Sequence, residues 1–346
     1  MEFKETIQKL IEKKDLAKEE TEQAMLEIME GKLSDSEIAE FLVALKEKGE
    51  SIDEITACAK IMREKSVKIK VDDKNNENTI NCIDMCGTGG DKSNTFNIST
   101  AASFIVAGTG ITVAKHGNKS VSSKCGSADV LAELGANINL APALVEQCIN
   151  KIGLGFIFAP NFHPAMRYVA NARKQLGVRT VFNILGPMTN PASPKAQVVG
   201  VFDGNLTEIY ANVLQNLGLE RALVVNGSGL DEITLHDRTK ITELKDGKIQ
   251  TYYITPEELG FQRLDLAKIK TDSVKENAEI IINILDGKEG PHADFVIVNA
   301  AAGIYVAGKA SSIKEGIEIA RESIASGKAR EKLEQLKDFT NINSTS

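Results

Sequence analysis

The chain has 346 residues, 42% of them hydrophobic, which is enough apolar material for the core of one large domain or of two unequal ones. Its formal net charge of −7 argues against a general nucleic-acid-binding protein, which would usually carry a basic stripe. The five cysteines follow no metal-binding spacing, so we expect reduced thiols rather than a zinc site or disulfides. Without a signal-peptide core or an apolar run of about 18 residues, we expect a cytoplasmic protein with no membrane partner.

The N-terminal part of the chain predicts a bundle of about four helices over residues 1–66. Two capping boxes, Ser34 to Glu37 and Ser51 to Glu54, predict where the third and fourth helices begin. We therefore expect a small helical domain over residues 1–70 whose apolar surface provides a subunit interface. The polar stretch 72–79 is expected to link this bundle to the rest of the chain.

Strand-like and helix-like segments then alternate, which is typical of a largely parallel sheet covered by helices. The expected strands are 80–85, 111–114, 155–159, 198–202 and 222–225, and the expected helices are 100–107, 129–134, a helix from 142, 163–176 and 206–217. Residues 234–255 predict further strands joined by a hairpin turn at Asp246-Gly247. Helices are expected at 277–285, 293–307 and 311–336, and a frayed tail at 339–346.

Two loops between residues 83 and 129 predict a phosphate site. Each follows a strand-like run and leads into a helix-like one, so backbone N–H groups and a helix N-terminus meet at one place. Between residues 85 and 127 the only acid is Asp91, whereas the bases are Lys92, Lys115, Lys119 and Lys124. A single Gly-Thr-Gly-Gly would be read as a tight turn, but two such loops favour binding of a multiply charged phosphate.

Three further places carry residues that could take part in binding or catalysis, and each also has a simpler structural interpretation. His116 lies in the cationic loop and is either a substrate contact or a packing residue. Arg173 is either a fork for a carboxylate or a solvated surface arginine, although the rigid turn from Gly186-Pro187 to Asn190-Pro191 favours a pocket wall. Asp231 and Glu232 follow a strand and either hold Mg²⁺ near a polyphosphate or form a solvated turn.

In this order and spacing, the motifs resemble those of the anthranilate phosphoribosyltransferases of tryptophan biosynthesis. They are Gly-Thr-Gly-Gly-Asp with Asn-Thr-Phe-Asn-Ile-Ser-Thr, Lys-His-Gly-Asn with Ser-Ser-Lys-Cys-Gly-Ser-Ala-Asp, Gly-Val-Arg-Thr-Val-Phe-Asn-Ile-Leu-Gly-Pro-Met-Thr-Asn-Pro, and Leu-Asp-Glu. The resemblance extends from the first helices to Leu336 and includes the stretch from Asn299 to Lys309. It implies the nucleoside phosphorylase-like phosphoribosyltransferase fold, with an α/β domain at 78–160 and 190–338 and with the helical domain completed by 163–180.

The resemblance also implies substrates, metal ions and a homodimer formed through the helical domain. The reaction would be displacement of diphosphate from 5-phosphoribosyl 1-diphosphate (PRPP) by the anthranilate amine. PRPP would contact Gly87, Gly90, Asp91, Thr95, Asn97, Ser99, Thr100, Lys115, Lys119, Ser123 and Ser127. Anthranilate would contact Gly87, Asn118 and Arg173, with His116 nearby as a hypothetical base. Of two Mg²⁺ ions, one would bind Ser99 and Glu232, and the other Asp231 and Glu232.

Two alternatives stay open from the sequence. A pyrimidine nucleoside phosphorylase shares the architecture and uses phosphate as its nucleophile, but Lys115-His-Gly-Asn and the Gly-Pro turn favour the transferase. A non-catalytic nucleic-acid-binding relative would be expected to lose Arg173 or the Asp231-Glu232 pair and to gain a basic groove. The chain also departs from many relatives at Cys125, where they have Ser, and in a short turn at 226–230.

Overall fold

A computed structural model describes residues 3–72, 80–91, 93–119, 125–271 and 273–343. The N-terminal part forms four helices, as predicted: α1 (Phe3–Ile11), α2 (Lys18–Met29), α3 (Asp35–Lys48) and α4 (Ile52–Glu64). Both predicted capping boxes are present. The Ser34 amide donates to Glu37 Oε2 at 2.9 Å, and the Ser51 amide donates to Glu54 Oε2 at 2.8 Å. These short-range bonds satisfy amides that a helix leaves without partners, so they determine where α3 and α4 begin.

The rest of the chain alternates between strands and helices. In order they are β1 (Ile83–Gly87), α5 (Ile98–Gly108), β2 (Val113–Gly117), α6 (Ser127–Glu133), α7 (Pro142–Ile152), β3 (Leu154–Phe158), α8 (Ala159–Phe162), α9 (Arg167–Leu176), α10 (Phe182–Leu185), β4 (Ala196–Gly200), α11 (Leu206–Asn216), β5 (Arg221–Asn226), β6 (Thr239–Lys245), β7 (Lys248–Ile254), α12 (Val274–Leu285), α13 (Pro291–Val306), α14 (Ile313–Ala325) and α15 (Lys328–Ile342). The α/β fold class with a small N-terminal helical domain is therefore confirmed.

The seven strands form one sheet in the order β3-β2-β1-β4-β5-β6-β7. Strands β1 to β5 are parallel to one another, whereas β6 is antiparallel to both β5 and β7. The hairpin between β6 and β7 turns at Asp246-Gly247, where both residues have positive φ, +51° and +72°. The chain leaves β1 for β2 on one side and later returns to β4 on the other. Loops that follow β1 and β4 therefore diverge at this point and open a crevice, which is the usual ligand site of such sheets.

One hydrophobic cluster joins the helical bundle to the sheet. Val169 and Ala172 of α9 are fully buried in the same cluster as Phe41 and Leu45 of α3. The cluster also includes Val199 of β4. Helix α9 thus packs on the bundle while its ends connect to the sheet domain. The division of the chain at 1–70 and 163–180 stays a prediction.

The C-terminal region differs from the sequence prediction. The single helix expected at 311–336 is two helices, α14 and α15, because Gly327 adopts φ +76° between them. Helix α15 continues to Ile342. The prediction of a frayed tail from residue 339 is therefore wrong for residues 339–342. Thr340 is buried there and its Oγ1 accepts a hydrogen bond from the Asn137 amide at 3.0 Å. No helix within the described residues is long and apolar enough to cross a membrane.

Candidate active site

The loop after β1 is shaped by glycines that allow Asp231 to approach. A Cβ on Gly87 would lie 2.3 Å from Asp231 Oδ2, so no larger residue fits without displacing that carboxylate. The Gly89 amide donates to the same oxygen at 2.7 Å. Gly89 and Gly90 have φ of +64° and +81°, which side chains disfavour. The predicted phosphate loop and the predicted metal-binding pair are therefore in direct contact, 142 residues apart in sequence.

The rest of this loop leads into α5 through a series of polar contacts. Asp91 accepts hydrogen bonds from the Ser93 amide at 3.1 Å and from Ser93 Oγ at 2.7 Å. Asn97 and Asn277 of α12 bond reciprocally: the Asn97 amide donates to Asn277 Oδ1 at 3.1 Å, and Asn277 Nδ2 donates to Asn97 Oδ1 at 2.9 Å. Thr95 forms an isolated antiparallel bridge with Lys270. These contacts hold the loop at the N-terminus of α5, where the helix dipole favours an anion.

Ser99 lies in the first turn of α5 and forms hydrogen bonds with two charged side chains, Glu232 and Lys115. Its amide donates to Glu232 Oε1 at 3.1 Å, and its hydroxyl accepts from Lys115 Nζ at 3.3 Å. Lys115 on β2 is 4% exposed and also donates to the Met85 carbonyl at 2.5 Å. Burial lowers the pKa of Lys115, while the nearby Asp84, Cys86 and Glu232 oppose that shift. A cationic group is thus directed at the helix N-terminus from inside the sheet.

Asp231 and Glu232 are half-buried, and burial together with nearby like charges raises the pKa of both carboxyl groups. Burial, together with the charge of Asp91, raises the pKa of Asp231 to about 7. Burial and the charge of Asp231 raise the pKa of Glu232 well above its usual value. Two acidic groups that resist ionisation in this way are stabilised by a divalent cation, because the cation offsets their repulsion.

The donor set fits Mg²⁺ only if a substrate supplies further oxygens. In the part of the chain that the structure describes, no group of three or more His, Cys, Asp or Glu side chains is arranged to hold a metal ion. The Ser99 hydroxyl lies at the crevice together with the carboxylates of Asp231 and Glu232. Mg²⁺ commonly binds through one or two carboxylates plus substrate phosphates and water. These residues therefore fit metal ions that arrive with a diphosphate.

His116 is a buried, neutral imidazole. Its Nδ1 lies 3.2 Å from the Gly186 carbonyl oxygen, and its ring centroid is 5.1 Å from that of His163. Burial lowers the pKa of His116 to about 3 and that of His163 to about 4. The Nε2 atoms of both rings are buried without a hydrogen-bond partner among the described residues. A ring with so low a pKa is a weak proton acceptor in the free protein, which disfavours the general-base hypothesis.

In the loop after β2, Asn118 and Lys119 directly follow the strand, and Ser127 begins α6 close to them. The Asn118 carbonyl accepts from Ser127 Oγ and from the Ala128 amide, both at 3.3 Å, while its side-chain oxygen accepts from the Lys119 amide at 2.7 Å. Asn118 and Lys119 are exposed. Ser123 and Lys124 lie outside the described residues. The predicted PRPP and anthranilate contacts on this loop thus include residues that are accessible to a ligand.

Two predicted contacts lie apart from this network. Arg173 on α9 is half-buried with its guanidinium 5.4 Å from the Phe182 ring centroid, and burial lowers its pKa. Thr100 is only 1% exposed, and its Oγ1 has no hydrogen-bond partner in the described part of the chain. The structure therefore does not bring the Thr100 hydroxyl to the surface of the crevice.

Sequence reasoning missed several residues that support the site. Asn299 on α13 binds both backbone groups of Ile233: its Oδ1 accepts from the Ile233 amide and its Nδ2 donates to the Ile233 carbonyl, each at 2.9 Å. Asp84 accepts from the His116 amide at 3.2 Å and from Asn190 Nδ2 at 2.8 Å. Arg179 donates to the Gly90 carbonyl at 2.8 Å. A polar residue inside an apolar run, such as Asn299 or Asp84, was the signal that could have identified two of them.

Two family models and many curated proteins match this chain over most of its length. Residues 79–330 match a family model described as "Glycosyl transferase family, a/b domain", and residues 4–66 match "Glycosyl transferase family, helical bundle domain". The anthranilate phosphoribosyltransferase of Alkaliphilus metalliredigens (strain QYMF) is 52% identical over 335 residues, which cover 96% of this chain and 97% of that protein.

Solved structures of similarly named proteins share the fold over nearly the whole chain. The anthranilate phosphoribosyltransferase (TrpD) of Thermus thermophilus is 43% identical with a TM-score of 0.90, over 97% of this chain and 99% of that one. The Saccharomyces cerevisiae enzyme in complex with PRPP and Mg is 28% identical with a TM-score of 0.89, over 98% of both chains. A further structure of the yeast enzyme contains 4-fluoroanthranilate and has 27% identity, a TM-score of 0.85 and 98% coverage of both chains. The chain is therefore a member of the anthranilate phosphoribosyltransferase family.

Proposed function

We propose that this chain transfers the 5-phosphoribosyl group of PRPP to the amine of anthranilate, as a step of tryptophan biosynthesis. The products are N-(5-phosphoribosyl)anthranilate and diphosphate. The observation that carries the proposal is the junction at which Ser99 bonds both Glu232 and Lys115 while Asp231 accepts from Gly89. Such a junction combines N–H donors, a lysine and two carboxylates, which suits a metal-bound diphosphate leaving group. The relatives' names, and the yeast complex with PRPP and Mg, support the same substrate.

The PRPP side of the reaction depends on positioning and on charge. We propose that PRPP lies across the loops after β1 and β2, with Lys115 and the N-terminus of α5 near its diphosphate. The anthranilate nitrogen attacks the anomeric carbon; the new C–N bond forms as the C–O bond to diphosphate breaks. The protein lowers the barrier by holding the two reacting atoms together and by stabilising the negative charge that develops on diphosphate. This displacement needs no covalent nucleophile from the chain.

Two Mg²⁺ ions are proposed to accompany PRPP, one held by Ser99 and Glu232 and the other by Asp231 and Glu232. Bound there, they would supply positive charge that neutralises the leaving diphosphate. The raised pKa values of Asp231 and Glu232 support this arrangement, since both carboxylates gain most from a cation. Asp91 would contact PRPP from the loop after β1.

Anthranilate is proposed to bind between the β2 loop and α9. The half-buried guanidinium of Arg173 would pair with its carboxylate, and the exposed Asn118 amide and the Gly87 backbone would face its amine. The neutral His116 ring would pack beside the substrate, because an imidazole with a pKa of about 3 makes a better apolar or hydrogen-bonding wall than a base. The yeast complex with 4-fluoroanthranilate supports an aromatic carboxylate as the ligand.

A homodimer formed through the helical bundle and a cytoplasmic location complete the proposal. Ile11 at the end of α1 is 52% exposed, so this apolar side chain is accessible to a partner subunit. Light scattering at micromolar concentration should give twice the chain mass of 37.4 kDa. An Ile11→Lys variant should shift the protein toward monomer, and an unchanged mass would show that the interface does not depend on Ile11.

The decisive experiment uses the fluorescence of anthranilate, which no tryptophan of this chain obscures because it contains none. Adding PRPP and Mg²⁺ to enzyme and anthranilate should remove the signal, and omitting PRPP should preserve it. Persistence of the signal with every component present would reject the transferase. Phosphorolysis of thymidine or uridine without PRPP would support the pyrimidine nucleoside phosphorylase instead, and salt-sensitive DNA binding without PRPP turnover would support the nucleic-acid-binding relative.

A further inference from the structure

Arg179 makes two contacts with the sheet domain, although it lies in the segment between α9 and α10. Its Nη2 donates to the carbonyl oxygen of Gly90 at 2.8 Å. Its Cζ lies 4.1 Å from the centroid of the Phe202 ring, the shortest of the arginine-ring distances among the described residues. A hydrogen bond from one edge and a ring against the face together restrict a guanidinium far more than either contact alone.

Hydrogen bonds hold three consecutive residues of the loop after β1, namely Thr88, Gly89 and Gly90, and we call each of them a tie. The Thr88 amide donates to the Gly200 carbonyl at 2.9 Å, and Thr88 Oγ1 accepts from the Phe202 amide at 3.1 Å. The Gly89 amide donates to Asp231 Oδ2 at 2.7 Å. The tie at Gly90 is the one that comes from the segment after α9. The loop is therefore held from β4, from the metal-binding pair and from Arg179.

The backbone at Gly90 is suited to this contact. A Cβ at that position would lie 2.6 Å from Arg179 Nη2, so a side chain on residue 90 would push the guanidinium away. Gly90 also has φ +81°, a conformation that costs a non-glycine residue free energy. Glycine can adopt many backbone conformations. The hydrogen bond from Arg179 to the Gly90 carbonyl therefore helps to select one of them.

We propose that Arg179 is a positioning residue that holds the loop after β1 in its PRPP-binding conformation and couples it to α9. Arg179 follows Arg173 by six residues, so one short segment carries both the proposed anthranilate contact and the tie to the PRPP loop. The inference rests on the proposed function and adds to it a link between the two substrate sites. Arg179 acts through the Gly90 carbonyl and does not touch the reacting atoms.

The tie has a specific kinetic consequence. When the free enzyme already holds the loop in its binding conformation, PRPP binds without first ordering it. When the tie is lost, only a fraction of the molecules has the loop in that conformation, and the apparent affinity for PRPP falls by that fraction. Once PRPP is bound, its own contacts order the loop, so the rate at saturation is largely preserved. We expect Arg179→Gln to raise KM for PRPP about five- to tenfold, with kcat within about twofold of the parent protein.

Arg238→Gln is the matched control, because Arg238 is also an exposed arginine over a ring. Its Cζ lies 4.6 Å from the centroid of Tyr253, on the antiparallel edge of the sheet. This variant removes the same charge and the same kind of contact without touching the loop after β1. We expect its KM for PRPP to match the parent protein. An equal rise in both variants, or no rise in Arg179→Gln, would overturn the proposal.

Two more variants separate a tie from a direct electrostatic contact with PRPP. Arg179→Lys keeps the charge but loses the planar donor that reaches Gly90 while lying on Phe202, so it should restore less than half of the lost affinity. Phe202→Leu should raise KM for PRPP as well, and the double variant should be no worse than Arg179→Gln alone, since both act through one contact. Full restoration by lysine would show that the charge alone acts on PRPP. Additive effects in the double variant would show that the two side chains act independently. Either result would overturn the proposal.

Calorimetric titration of each variant with PRPP and Mg²⁺, without anthranilate, distinguishes failure of this inference from failure of the proposed function. The expected result is a Kd for PRPP that is weakened in Arg179→Gln and unchanged in Arg238→Gln. If the parent protein binds PRPP but does not consume anthranilate, the transferase proposal fails while this comparison still decides the role of Arg179. Equal Kd values in parent and Arg179→Gln would reject the tie whatever the enzyme catalyses.

Discussion

Gly200 ends β4 in contact with the backbone of Asp231, and its replacement by alanine tests whether the position of that residue controls the reaction. A Cβ on Gly200 would lie 1.5 Å from the Asp231 carbonyl oxygen and 2.9 Å from its Cα. Its φ is not in the left-handed region, so alanine causes no backbone strain there and the effect of the substitution is purely steric. The atoms in the way are backbone, which cannot rotate aside as a flexible side chain would.

The size of the effect follows from that distance. Real Cβ atoms essentially never approach a neighbour within 3.0 Å, so Asp231 or β4 must move by at least about 1.5 Å, the difference between 3.0 Å and 1.5 Å. Overpacking of this kind costs about 1–3 kcal/mol of folding free energy. A misplacement of about 1 Å near the reacting groups can lower a rate about 100-fold. We therefore expect kcat/KM to fall at least about 100-fold while the protein still folds.

The measurement is the rate of anthranilate consumption at limiting PRPP, together with thermal unfolding. Gly204→Ala is the control, since its Cβ would meet its nearest atom, Asn226 Oδ1, at an ordinary 3.4 Å. That variant should keep the activity of the parent protein. A Gly200→Ala enzyme with kcat/KM within threefold of the parent would refute the argument that Asp231 must stay where Gly200 allows it.

Four other predictions concern the same site. Asn299→Ala removes three hydrogen bonds of 2.9 Å, to the Ile233 amide, the Ile233 carbonyl and the Phe295 carbonyl, so the free energy of unfolding in denaturant should fall by about 3 kcal/mol. The Mg²⁺ concentration that gives half the maximal rate should also rise, and an unchanged value would show that Asn299 does not position Glu232. His116→Ala should leave kcat within a few-fold if the ring is a contact, and a loss of about 100-fold or more would instead support a base. Because burial depresses the pKa of His116 to about 3 and of His163 to about 4, their neutral forms contribute stability above the unfolded value of about 6.5 that is lost as pH falls toward those pKa values; unfolding free energies measured from pH 7 to 4 should fall less steeply in a His116→Gln His163→Gln variant. The pKa of Asp231 is raised to about 7, so its contribution is present below the unfolded value of about 3.9 and lost as pH rises through 7; at pH 8 Mg²⁺ should raise Tm more in the parent protein than in Asp231→Asn, and equal shifts would exclude Asp231 as a ligand.

Local patterns in the sequence determined most of the secondary structure. The capping boxes at Ser34 and Ser51 and the turn at Asp246-Gly247 were predicted correctly, because their hydrogen bonds and φ angles involve residues three or fewer positions apart. The two helices at 311–342 were not separated, since a glycine within a helical pattern does not by itself show whether the chain will bend. Helix α15 extends beyond the predicted end because Phe339 and Thr340 find partners in distant parts of the core.

The sequence by itself determined which residue types form the candidate site, through the glycine-rich loop, the lysine-rich loop and the acidic pair. Only the tertiary structure decided how they meet. The order of the sheet places β1 between β2 and β4, and this brings Gly89 to Asp231 and Ser99 to both Lys115 and Glu232. The same packing buries Thr100 and His116, which residue type alone cannot reveal, and brings Arg179 to Gly90. Contacts across 89 to 142 residues depend on how strands pair and helices pack, and no local pattern encodes that order.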